Sequence, residues 1–296
     1  MKPGQASRTA VAVCMGRAAA QGATSVTAFD DPTALALLPA GARARVERLR
    51  AGVPGATLLD RLKDGYVRTL SRMAVARTVA IDDAVREAAC PQLVILGAGL
   101  DGRAWRMAEL GEAVVFEVDH PDTQREKRER ASGLGLKAAE VRFVPVDFSR
   151  DRLGDALASA GHDPSRPTAW LWEGVVMYLT PAQVEATLAV LAGRSVPGSR
   201  LIVLYHKPAL VLRLIGPLLR LGGEPLRSAY EADAMRELLE RHAFRVARDE
   251  DVATLGGRLS ADVARQTRRL THMRLAIADR AVPDKLPVDS LEKEVE

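Results

Sequence analysis

From Gln92 onward, short apolar runs alternate with helical stretches, and this alternation restricts the fold more than any other feature of the chain. The runs are "LVIL" (93–96), "AVVFEV" (113–118), "VRFVPV" (141–146), "TAWLW" (168–172) and "RLIVLY" (200–205). Continuous apolar runs of this length suit strands buried on both faces. The segments 121–132 and 181–193 read as crossover helices, which makes the sheet parallel and the class α/β. Two further strands are read at "FRVARDE" (244–250) and "HMRLAIADR" (272–280). The short return between them predicts an antiparallel last strand inserted beside the fifth. Seven strands with that ending depart from the symmetrical halves of a dinucleotide fold.

Ahead of the sheet, 9–90 reads as helical, with Pro32 opening one helix after Asp30-Asp31 and a long run from about Asp60 to Ala89. The expected organisation is a helical cap (9–90) belonging to the same domain as the sheet (91–281), an inserted lid at about 206–230, and a flexible tail over 282–296.

Composition narrows the function. With 296 residues, 47% of them hydrophobic, the chain can bury a full core. The net charge of +4 is spread among acidic residues, as in 125–130, and only 4% of residues are aromatic. That is no nucleic-acid platform. Cys14 and Cys90 form no disulfide framework, the five histidines show no H-x-x-x-H pairing, and no metal is expected. Gly16-Arg17 interrupts the short apolar run near the start. The most apolar segment, 209–223, carries Arg213, Pro217 and Arg220. Neither is a membrane span, which needs roughly 20 apolar residues, so a cytoplasmic protein is expected.

The first strand runs into "GAGLDG" (97–102), which satisfies G-x-G-x-x-G. Such a loop turns sharply, approaches a ligand closely and enters a helix whose first N–H groups are unpaired. Asp119 follows Gly97 by 22 residues, at the end of the second strand, where a carboxylate takes ribose hydroxyls. Loop and carboxylate together call for a ribose-bearing cofactor without choosing one. Asp101 within the turn would repel a pyrophosphate, whereas S-adenosylmethionine carries a sulfonium and an amino-acid tail there. Asp147, after the third strand, is placed to read an adenine amino group or else to cap a helix, and Phe148 beside it to pack on the purine.

The chain resembles the class I S-adenosylmethionine-dependent methyltransferases, and specifically the leucine carboxyl methyltransferase-like family, which includes bacterial O-methyltransferases of polyketide and other secondary metabolism. The matching pieces are "ARTVAIDD" (76–83), "LVILGAGLDGRAWRM" (93–107), "VFEVDHPDTQREKRE" (115–129), "VPVDF" (144–148) and "WLWEGVVMYLTPAQV" (170–184). One departure is Gly102, where the family usually has Thr. The resemblance implies that Arg77 pairs with the methionine carboxylate, that Gly97 and Gly99 line the methionyl moiety, and that Asp119 holds the ribose. It also implies that Asp147 and Phe148 bound the adenine, and that Glu173 faces the amino group or sulfonium. Glu173 is placed independently too, since the C-terminal end of a buried strand is the ligand side of an open α/β sheet.

Methyl transfer from a sulfonium is an in-line displacement that asks for alignment and exclusion of water. A carboxylate acceptor needs no base, whereas a phenol or alcohol does. His206 is the base candidate, and Tyr178 or Tyr205 are orienting ones. The acceptor expected is a small apolar acid or phenol, and the product S-adenosylhomocysteine. The apolar 206–230 segment reads as a lid, or as a helix packed on the core or on a second subunit, which leaves a homodimer open. Two other readings compete: an NAD(P)-dependent oxidoreductase, suggested by "GAGLDG", and a catalytically silent S-adenosylmethionine-binding protein.

Overall fold

All five side chains of strand β1 (Gln92–Leu96) are buried, so it must run through the middle of a sheet covered on both faces. The computed structural model, which describes residues 7–148, 150–210, 212 and 225–281, places it there. The other strands are β2 (Val114–Asp119), β3 (Glu140–Pro145), β4 (Thr168–Trp172), β5 (Arg200–His206), β6 (Phe244–Asp251) and β7 (Met273–Arg280), in the order β3-β2-β1-β4-β5-β7-β6. Strands β1 to β5 pair in parallel. Strand β7 runs antiparallel between β5 and β6, with a bulge in β6 between Val246 and Arg248. The expected strand set and the inserted antiparallel last strand both match this architecture. Strand order reverses between β1 and β4, which opens a crevice at their carboxyl ends.

Side chains of period two sort the core into two layers. Leu93, Ile95, Leu171, Ile202 and Leu204 point to one face, where they meet α1 (Arg8–Ala20), α2 (Ala34–Leu37), α3 (Ala40–Arg50) and α4 (Leu58–Ala88). Val94, Leu96, Trp170, Trp172, Leu201, Val203 and Tyr205 point to the other. Between β1 and β2 lies α5 (Arg103–Arg106), and α6 (Pro121–Ala131) joins β2 to β3. The second face is covered by α7 (Leu153–Ser159), α8 (Pro181–Gly193) and α9 (Ala232–Arg241). Two short helices, α10 (Val252–Gly257) and α11 (Ala261–Thr267), return to the first face between β6 and β7.

Local chemistry sets the helix starts nearest the crevice. Helix α6 opens on Pro121, with His120 Nδ1 accepting from the Asp122 N–H at 3.2 Å. Helix α8 opens on a capping box, in which Thr180 Oγ1 accepts from the Gln183 N–H and Gln183 Oε1 from the Thr180 N–H. The helix expected at Pro32 is only the four-residue α2, which begins at Ala34. Most of the expected lid, 211 and 213–224, lies outside the described residues.

Candidate active site

A cavity of about 590 Å³ occupies the crevice at the carboxyl ends of β1, β2, β3 and β4. Its floor is the loop after β1. Gly97 and Gly99 have φ of +69° and +50°, and the N–H groups of Gly97 and Ala98 both donate to the Val118 carbonyl. A Cβ on Gly97 would fall 2.2 Å from Val175 Cγ2, so no side chain fits there. Asp119, at the end of β2, bends over this loop. One of its oxygens accepts from the Gly99 N–H and the other from the His120 N–H at 2.6 Å. Burial raises its pKa, and these two N–H bonds oppose the shift. An ionised carboxylate has about four acceptor sites, so ribose hydroxyls can add to these bonds.

Beside the loop, α4 brings in Arg77. Its Nε lies 2.8 Å from Glu173 Oε1 in an ion pair. The N–H is poorly aimed at that oxygen, so the buried Nε has no hydrogen-bond partner among the described residues. Glu173, just past β4, is shared with Arg103 Nη1 at 3.2 Å. From there a buried network runs inward. Arg103 Nε donates to Asp82, Arg106 binds both oxygens of Asp82, Arg106 Nε lies 3.8 Å from Asp31, and Arg17 Nε donates to Asp31 at 2.7 Å. Arg17 Nη2 then donates to the Leu100 carbonyl of the loop itself.

Asp101 belongs to the same network, and its placement changes its meaning. It is buried and salt-bridged to Arg103, whose backbone N–H it also accepts. Burial opposes its ionisation, but Arg103, Lys127 and Arg17 outweigh burial and hold the carboxyl well below the usual range. A carboxylate paired in this way does not discriminate against a pyrophosphate as an isolated charge in the turn would.

Eight of the nine residues singled out from the sequence line the cavity: Arg77, Gly97, Gly99, Asp119, Asp147, Phe148, Glu173 and Tyr178. Asp147 is paired with Arg150 at 2.9 Å and does not cap α7, whose N-cap is Arg152. The ninth, His206, is buried at the end of β5 and is not among the lining residues. Burial, His272 and Arg77 push its pKa down to about 4, so the ring is neutral at pH 7. The sequence reading missed Arg17 and Arg227, which also line the cavity. For Arg17 a signal exists, since it is the one charged residue among the Ala-rich turns at the end of α1.

Residues 10–192 match the model of the family described as leucine carboxyl methyltransferase. The chain belongs to this family, and so to the class I S-adenosylmethionine-dependent methyltransferases. A relative from Mycobacterium sp. (strain KMS) is 35% identical over 202 residues, covering 68% of this chain and 66% of the relative. One from Mycolicibacterium smegmatis is 39% identical over 200 residues, covering 66% and 65%. Both carry the provisional name S-adenosyl-L-methionine-dependent methyltransferase. The chain thus spans just under two thirds of the length of the curated relatives it matches. The crystal structure of a DUF574 family protein from Streptomyces avermitilis covers 80% of this chain and 97% of its own at 15% identity, with a TM-score of 0.58, a likeness of fold.

Proposed function

We propose that this protein transfers the methyl group of S-adenosylmethionine to a carboxylate oxygen of a small apolar acid, in secondary metabolism such as polyketide tailoring. The observation that carries the reading is Arg77. It is a buried guanidinium facing the cavity, ion-paired with Glu173 through an Nε whose N–H makes no hydrogen bond among the described residues, next to a loop where Gly97 leaves no room for a Cβ. That pairing suits the amino-acid end of the cofactor, with Arg77 taking the carboxylate and Glu173 the ammonium. Asp119 would hold the ribose, and Asp147 and Phe148 the adenine.

When bound, the cofactor supplies a methyl group on a sulfonium, an electrophile that needs no further activation. The chain's own residues bind, orient and keep water out. The preference for a carboxylate rests on the want of a base among the described residues of the cavity. His206 is set back from the cavity, Glu173 and Asp101 are tied to arginines, and His120 Nδ1 is engaged with the start of α6. An acceptor that is already ionised suits such a wall. Tyr178 lines the acceptor side and would orient the acid, while Val175, Leu179 and Pro225 give it apolar contact.

Calorimetry should register binding of S-adenosylhomocysteine and none of NADH; the reverse outcome would overturn the cofactor assignment. Methyl-labelled S-adenosylmethionine and a panel of apolar acids and phenols then separate the acceptors. A methyl ester releases labelled methanol in alkali, and label that survives alkali as an aryl ether would overturn the carboxylate reading.

A further inference from the structure

We infer that Arg227 is the residue that selects an anionic acceptor, by holding one carboxylate oxygen while the other is methylated. This rests on the methyl-transfer reading of the cavity. Arg227 comes from the segment 225–230, which is fastened beside the short 3₁₀ helix Val176–Tyr178. The Arg227 N–H donates to the Met177 carbonyl at 2.8 Å, and Ser228 Oγ donates to the Val176 carbonyl at 2.8 Å. One further bond, from the Tyr230 N–H to the His206 carbonyl at 2.9 Å, ties the segment to the end of β5. Its backbone is therefore placed, while its side chain is exposed on the cavity wall.

The other charges of the cavity are spoken for. Arg17 is paired with Asp31, Arg77 and Glu173 with each other, Asp101 with Arg103, and Asp147 with Arg150. Asp119 accepts two backbone N–H groups. Among the described residues Arg227 has no ion-pair partner, and it is the only charged side chain contributed by the wall made of 174–183 and 225–227. Among the described residues, the acceptor wall therefore carries one uncompensated positive charge. A neutral phenol or alcohol leaves it unanswered, whereas a carboxylate answers it with a charge-assisted hydrogen bond.

The chemistry then gives the contact a direction. A carboxylate oxygen forms the O–CH₃ bond as the S–CH₃ bond breaks, with the electron pair staying on sulfur. A carboxylate and a sulfonium become a neutral ester and a neutral thioether, and no proton moves. Arg227 loses its partner in the same step, so the wall that captures the acid releases the ester.

The test uses the full chain saturated with S-adenosylhomocysteine and ligand-observed NMR. The probes are phenylacetate and octanoate, each beside its methyl ester. Both acids are expected to bind the wild type more tightly than their esters. Arg227→Gln should weaken the acids about tenfold or more, the order expected for a hydrogen bond to a charge, and leave the esters within about twofold. Arg227→Lys should keep part of the preference for acids. Unchanged thermal unfolding of Arg227→Gln establishes that the variant is folded. The inference falls if the acids bind Arg227→Gln as well as wild type, or if neither acid binds the loaded wild type. Failure of S-adenosylhomocysteine itself to bind would instead bring down the reading on which it rests.

Discussion

On the proposed reading, Arg77 is one buried cation that serves two states of the protein. With the cavity as described it leans on Glu173, while burial and the nearby Arg17 and Arg103 work against its charge. A cofactor carboxylate would give its Nε the acceptor it lacks. Arg77→Ala should therefore weaken S-adenosylhomocysteine binding by about 10- to 100-fold, the range for a lost hydrogen bond between charged groups; unchanged affinity by calorimetry would remove Arg77 from the site. Gly102 gives a second prediction. A Cβ there would fall 2.0 Å from Thr33 Oγ1, whose hydroxyl donates to Asp31. Thr33 thus places a hydroxyl from the cap where a side chain on residue 102 would sit, and the third glycine of "GAGLDG" is a steric requirement. Gly102→Thr alone should cost about 1–3 kcal/mol through overpacking. Thr33→Ala added to it should recover part of that loss, which denaturant unfolding of the two singles and the double would measure.

Helix α8 carries its own start signal into the cavity wall, because Gln183 closes the capping box and also lines the site. Thr180→Ala should lower stability by about 1 kcal/mol, with an unchanged denaturant m-value, and Thr180→Ser should restore most of it. Strands and helix starts of this kind were readable in the sequence, because hydrophobic period, proline and capping residues are local. Asp119, Asp147 and Glu173 were readable for a related reason: a carboxylate just past a buried strand must emerge at the ligand edge. His206 obeys that rule in position but not in direction. It shares the parity of Ile202 and Leu204, so its ring turns toward the cap-side layer, while Tyr205 takes the other face. The pairing of Thr33 with Gly102 and the place of Arg227 on the cavity wall depend on contacts between distant segments, which periodicity does not record.

Buried histidines link the whole fold to pH. His162, pushed down by burial and Arg194, and His206, pushed down by burial, His272 and Arg77, both have pKa values of about 4 against an ordinary 6.5. Each favours the neutral ring in the folded state. The stability this contributes is complete above pH 6.5 and is lost as pH falls through 6.5 toward 4, at most about 3 kcal/mol per histidine. Thermal unfolding from pH 7.5 to 4 should show a shallower acid loss for His206→Gln than for wild type, and parallel curves would contradict the assignment.

The buried charge network has a further consequence, in the order in which its members are synthesised. Arg17, Asp31, Arg77 and Asp82 leave the ribosome first, Asp101, Arg103 and Arg106 next, and Glu173 last. Four guanidinium groups and four carboxylates are thus assembled from a stretch of more than half the chain, and charges buried without partners are strongly disfavoured. During translation the network therefore cannot close before Glu173, just past β4, has emerged, so the cap takes its final seat on the sheet only after more than half of the chain has been made.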